Sequence, residues 1–70
     1  MALGIAPFGR EMEIKRIALD EKTVKHLSDL GIMVGSKVTS LSDSKGDVIL
    51  KVKDGRLALN KDLAMRIFVA

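Results

Sequence analysis

Val24, Leu27 and Leu30 recur at a spacing of three and stop at Gly31. At ~100° per residue they form one apolar stripe, which predicts a helix of about ten residues that buries all three. Asp20 is placed to cap this helix, and Glu21 puts a carboxylate in its first turn, where the helix dipole favours it. Gly31 tolerates the left-handed backbone that ends a helix. Ile32 then folds back onto the last turn, and Gly35 releases the chain into an extended Ser36–Thr39 segment. Lys22, Lys25 and Asp29 turn outward, with Lys25 and Asp29 spaced to pair one turn apart.

The rest of the pattern is strands. Met12-Glu13-Ile14-Lys15 alternates apolar and charged positions, whereas Arg16-Ile17-Ala18-Leu19 alternates in the opposite phase. A bulge near Lys15-Arg16 reconciles the two and lets one strand pass from one side of a small barrel to the other. Lys37 to Ser42 and Asp47 to Lys53 flank Asp43-Ser44-Lys45-Gly46, which reads as a hairpin loop. Asp54-Gly55 reads as a second, two-residue hairpin turn before Arg56-Leu57-Ala58-Leu59. Asn60 is placed to cap a short helical turn over Lys61 to Met65, after which Ile67 and Val69 alternate with Arg66 and Phe68 in a last strand. The expected fold is mainly β with one long helix: a small, partly open, five-stranded antiparallel barrel that forms one domain over residues 1–70.

Composition narrows what such a fold does. With 70 residues the core is modest and stability comes from packing, because there is no cysteine to supply a disulfide or a thiolate metal site. Hydrophobic residues make up 47% of the chain but only Phe8 and Phe68 are aromatic, so the core is expected to be Val, Leu, Ile and Met. The segment Met1 to Phe8 has no basic start and is broken by Pro7, so it reads as neither a signal peptide nor a membrane span, and a cytoplasmic location is expected. Charges balance over residues 1–31, and the whole net surplus of +3 falls in the strand-rich residues 32–70. That surplus suits an acidic partner surface or a membrane-proximal site, and equally a strand face guarded by lysines.

Catalytic material is sparse. One histidine, no cysteine and scattered acids make no nucleophile, base and orienter set, and no glycine-rich phosphate loop is present, so no catalytic residue is assigned and no enzyme is expected. His26 lies on the flank of the helix with Lys22 one turn before it, where a cation would be repelled; a solvated side chain is expected, with no metal site and no cofactor. Met1, Met12, Met33 and Met65 suit core filling or a binding surface. A pI near 9.5 raises nucleic-acid binding as a rival, yet the chain has no Trp or Tyr on which bases would stack, and no nucleic acid is expected as partner.

The run Leu27-x-x-Leu30-Gly31-Ile32-x-x-Gly35, followed by the strand and turn order above, resembles the FeoA family of bacterial ferrous-iron transport proteins. The resemblance extends from Leu3 and Gly9 to Val69. It implies an SH3-like barrel, and a small accessory or regulatory protein of the FeoB membrane transporter, whose G-protein domain and permeation segment together move ferrous iron. Membrane association would then come only through that partner. Leu27, Leu30, Gly31, Ile32 and Gly35 occupy the family's characteristic positions. Met33 and Val34 sit between the two motif glycines with no obligatory core partner, so they are expected either in an exposed apolar patch or tucked beneath the barrel. The expected partner-binding residues are Leu27, Met33, Val34, Lys51, Lys53 and Arg56. Two alternatives stand beside this reading: a regulatory module similar to the C-terminal domain of iron-dependent repressors, and a small nucleic-acid-binding barrel.

Overall fold

The change of phase within Met12–Leu19 resolves as a bulge in strand β1 (Glu11–Ile17). The computed structural model describes residues 1–70 throughout. Before the bulge, Glu11 to Glu13 lie opposite Thr39 to Lys37 of β2 (Lys37–Ser44); after it, Arg16 and Ile17 lie opposite Phe68 and Ile67 of β5 (Ile67–Val69). One strand therefore serves two neighbours. Strands β3 (Asp47–Val52) and β4 (Gly55–Asn60) complete an antiparallel sheet in the order β4-β3-β2-β1-β5.

Two expectations about architecture need correcting. The sheet is not closed, because the last strand is only three residues long and pairs with β1, which leaves nothing to bridge β5 and β4. There are also two short helices in place of one long one: α1 (Glu21–Asp29) of nine residues and α2 (Lys61–Ala64) of four, preceded in the chain by a 3-10 turn at Leu3–Ile5. Caps fix where both begin. Asp20 accepts the Thr23 N–H at the start of α1, and the Asn60 side chain accepts the Asp62 N–H at 2.8 Å to start α2.

The end of α1 is a Schellman closure. Gly31, at φ +91°, donates its N–H to the Ser28 carbonyl at 3.0 Å, and Ile32 donates to the Leu27 carbonyl at 2.8 Å. The reversal decides which apolar side chains go inside. Leu27 and Ile32 are sealed in the core, Val24 is half-buried, and Leu30, expected on the buried stripe, is 43% exposed. Helix α1 stops one residue before Leu30, and the fold-back delivers Ile32 to the core position that a longer helix would have offered to Leu30.

The first hairpin turn is tighter than expected and the second is shifted by one residue. Ser44 lies opposite Asp47, so the β2–β3 connection is Lys45-Gly46 alone, with φ of +51° and +85° as a two-residue turn of the twist-matched kind requires. Val52 lies opposite Gly55, so the next turn is Lys53-Asp54, one residue earlier than the Asp-Gly pair suggested. The Lys25–Asp29 pair does not form. The ion pairs present, Lys15–Glu13 at 3.1 Å and Lys61–Asp43 at 3.6 Å, are exposed and contribute little to stability.

A cluster of buried aliphatic side chains fills the interior, with Leu3, Ile14, Leu50 and Ile67 among the most enclosed. The first residues seal one edge of the sheet: Ala2 bridges to Phe68, the Met1 ammonium donates to the Val69 carbonyl at 2.9 Å, and the Val69 N–H donates to the Met1 carbonyl at 2.8 Å. Phe68 is itself covered on one face by the Arg16 guanidinium, 4.6 Å from the ring centroid.

Candidate partner-binding groove

The α1 ending and the outer face of the sheet enclose an open groove of about 790 Å³. One wall is Ser28 to Gly31 with Met33; the facing wall is made from β1, β2, β3 and the turn after β3, and carries Glu11, Lys37, Thr39, Lys51 and Lys53. Sheet register explains the second wall. Glu11 lies opposite Thr39, Thr39 opposite Lys51, and Lys51 opposite Arg56, so these four residues form one row across four strands. Lys53, the first residue of the turn after β3, lines the same groove as Lys51.

Apolar and cationic surfaces thus meet at one place. Leu30 and Met33 are 43% and 42% exposed, and Val34 beside them is 62% exposed. Large apolar side chains at that exposure, grouped within five residues of chain around a rigid helix stop, form a surface suited to docking. None of Lys37, Lys51, Lys53 or Arg56 has a carboxylate within 4.0 Å, so their charges are available to a partner. The groove is not uniformly positive, however. Glu11, Asp29 and Asp54 also line it, so its field is patterned and favours a partner that presents both signs.

Of the expected partner-binding residues, Met33, Lys51 and Lys53 are brought together in the groove, with Val34 and Arg56 beside it. Leu27 is not. At 1% exposure it has no surface to offer, and its side chain belongs to the core. Leu30, Lys37 and Thr39 were missed as groove residues. Strand alternation already put Lys37 and Thr39 on one face, but only the register across β2 and β3 carries that face to Lys51. Gly31 and Gly35, both at positive φ, hold the loop that presents Met33 and Val34.

His26 is exposed, and no three His, Asp or Glu side chains converge as metal ligands. Ser40 is the one buried polar residue; its hydroxyl has no hydrogen-bond partner and lies in the core, away from the groove. No helix is long and apolar enough to cross a membrane.

The profile of the FeoA domain matches residues 1–70. The chain belongs to the FeoA family. A protein of Methanocaldococcus jannaschii named Fe(2+) transport protein A is 33% identical over 67 residues, covering 96% of this chain and 82% of that one. Among solved structures, FeoA of Stenotrophomonas maltophilia, described as a procaryotic SH3 domain protein and crystallised with zinc, superposes with a TM-score of 0.79 at 20% identity, covering 100% of this chain and 89% of that one. A manganese-dependent transcriptional repressor superposes with a TM-score of 0.87 at 19% identity; all of this chain matches 40% of the repressor. This chain thus has an SH3-like fold that also occurs within a repressor.

Proposed function

We propose that this chain is a non-catalytic accessory or regulatory protein of bacterial ferrous-iron uptake that acts in the cytoplasm as one domain and binds the cytosolic part of a FeoB-type membrane transporter. The groove at the α1 ending is the contact surface. The observation that supports this most is the meeting of exposed Leu30 and Met33 with unpaired Lys51 and Lys53 in one groove. Apolar side chains there supply the buried contact, and the lysines guide approach and set orientation. Iron in this reading is the partner's cargo and is not carried by this chain. Membership of a family linked to Fe(2+) transport supports the same reading, while the likeness to the repressor speaks for the fold alone.

The test is retention of the purified chain on the immobilised cytosolic region of the transporter. Wild-type chain is retained, and the Met33→Ser/Val34→Ser double variant, altered only at exposed positions, is washed away. Normal retention of the double variant removes this surface, and failure of the wild type to bind any part of the transporter removes the adaptor role.

A further inference from the structure

The two edges of the sheet are treated differently. The β5 edge is covered by Met1 and Ala2, whereas the β4 edge has no neighbour. Strand β4 also has little that would discourage pairing: Gly55 to Asn60 contains no proline and no lysine, carries one charge at Arg56, and keeps unbroken register with β3 over all six residues. Natural edge strands are normally blunted by such devices.

The register states which backbone groups are free. Val52 and Gly55 close a two-residue turn and therefore exchange hydrogen bonds, as do alternate pairs beyond them; the Lys61 N–H reaching the Gly46 carbonyl at 3.0 Å continues the same phase. Arg56 and Ala58 consequently point their N–H and C=O groups away from β3, into solvent. Leu57 between them is only half-buried.

We infer that β4 is a self-pairing edge, at which a second copy of this chain adds its own β4 antiparallel about a two-fold axis through Leu57. In that register Arg56 of each copy lies opposite Ala58 of the other, so all four free groups on each copy are satisfied and the two arginines do not face one another. Leu57 meets Leu57 at the axis, as a non-hydrogen-bonded pair in which side chains approach closely, and the half-open apolar edge is closed. A register centred on Ala58 is worse, because it brings Arg56 against Asn60, where the chain turns into α2. The arrangement is self-complementary, as a two-fold interface must be, and it extends the sheet so that both copies present their Lys51 and Arg56 rows on the same face.

The experiment is sedimentation of the full chain over a concentration series, with amide exchange read at Arg56 and Ala58, first on the chain alone and then with the transporter's cytosolic region added. Ala58 is exposed, so both test variants fold. Concentration-dependent dimer with protected Arg56 and Ala58 amides is expected. A58K, which sets a lysine against Arg56 twice over, weakens the dimer by about tenfold or more, while A58E, which sets a carboxylate there, retains or strengthens it. A monomer at every concentration, or a dimer indifferent to both variants, overturns the proposal. So does protection of these amides that appears only when the transporter's cytosolic region is added, since the edge would then belong to a strand of that partner.

Discussion

The backbone N–H of Ile32 donates to the carbonyl of Leu27 at 2.8 Å, and the side chains of both residues are sealed in the core. This bond, one of the two that close the helix, joins two residues of the same core cluster. The residues just outside this pair, Leu30 and Met33, are turned towards solvent by the same reversal. Core anchor and proposed contact surface are separated by only a few residues of chain.

Leu27 and Leu30, alike in the apolar stripe, are expected to respond differently to the same change. Leu27→Gln loses packing at a sealed position, for which large-to-small core changes set a scale of ~2 to 5 kcal/mol, and buries an amide besides. Most of the stability of so small a domain disappears. Leu30→Gln stays within about 0.5 kcal/mol of wild type and weakens retention by the transporter. Urea titration beside a binding assay separates them, and comparable unfolding by both variants would contradict the burial described above.

Ser40 holds a buried hydroxyl with no partner, while its backbone carbonyl accepts the Gly9 N–H at 2.7 Å. Ser40→Ala keeps the backbone bond and deletes the uncompensated polar group. An increase in stability of about 1 kcal/mol is expected, visible as a rise of ~4 to 8 °C in thermal midpoint for a domain of this size. A lower midpoint would mean that the hydroxyl is satisfied in solution.

Asp20 accepts hydrogen bonds from the Thr23 hydroxyl and backbone N–H, which hold its carboxyl below the ordinary 3.8. A depressed folded value stabilises the fold above the unfolded pKa, and this contribution is lost as pH falls through the folded value. Asp20→Asn keeps a capping oxygen at every pH and removes that titration. The variant's thermal midpoint should therefore fall less than the wild type's as pH is lowered from about 5 to below the folded value. Parallel midpoint curves would show that Asp20 does not drive the loss.

Binding kinetics should divide the groove into two halves. Lys51→Glu/Lys53→Glu is expected to slow association most at low salt, because exposed charges act through a field that salt screens over ~10 Å at 0.1 M. Met33→Ser/Val34→Ser is expected to speed dissociation and leave the salt dependence unchanged. Surface-immobilised kinetics over a salt series measures both. A charge-reversal effect confined to dissociation would place the lysines in the buried contact itself.

Much of the fold was legible from neighbours in sequence. The caps at Asp20 and Asn60, the left-handed Gly31, the fold-back of Ile32 and the bulge near Lys15 each depend on side chains and dihedrals within a few residues, so local chemistry is sufficient for them. Met33, Val34, Lys51 and Lys53 were legible as site candidates for a similar reason. A motif loop without core partners, and a strand that alternates apolar and cationic, are visible along the chain.

What local pattern leaves open is where an element sits relative to the rest. Period 3.6 put Leu30 on the same stripe as Leu27, but whether a stripe residue is buried depends on what covers it, and here Ile32 takes the inner position. Sheet order is equally non-local: β1 lies between β2 and β5, and β4 is left at an edge, through pairings between residues far apart in sequence. The chain by itself determined its caps, turns and alternating faces, because each is a contest among adjacent backbone conformations. The tertiary structure alone decided that Leu30 and Met33 share a groove with Lys51 and Lys53, and that the outer edge of β4 has no neighbouring strand, because burial and register depend on how distant segments pack.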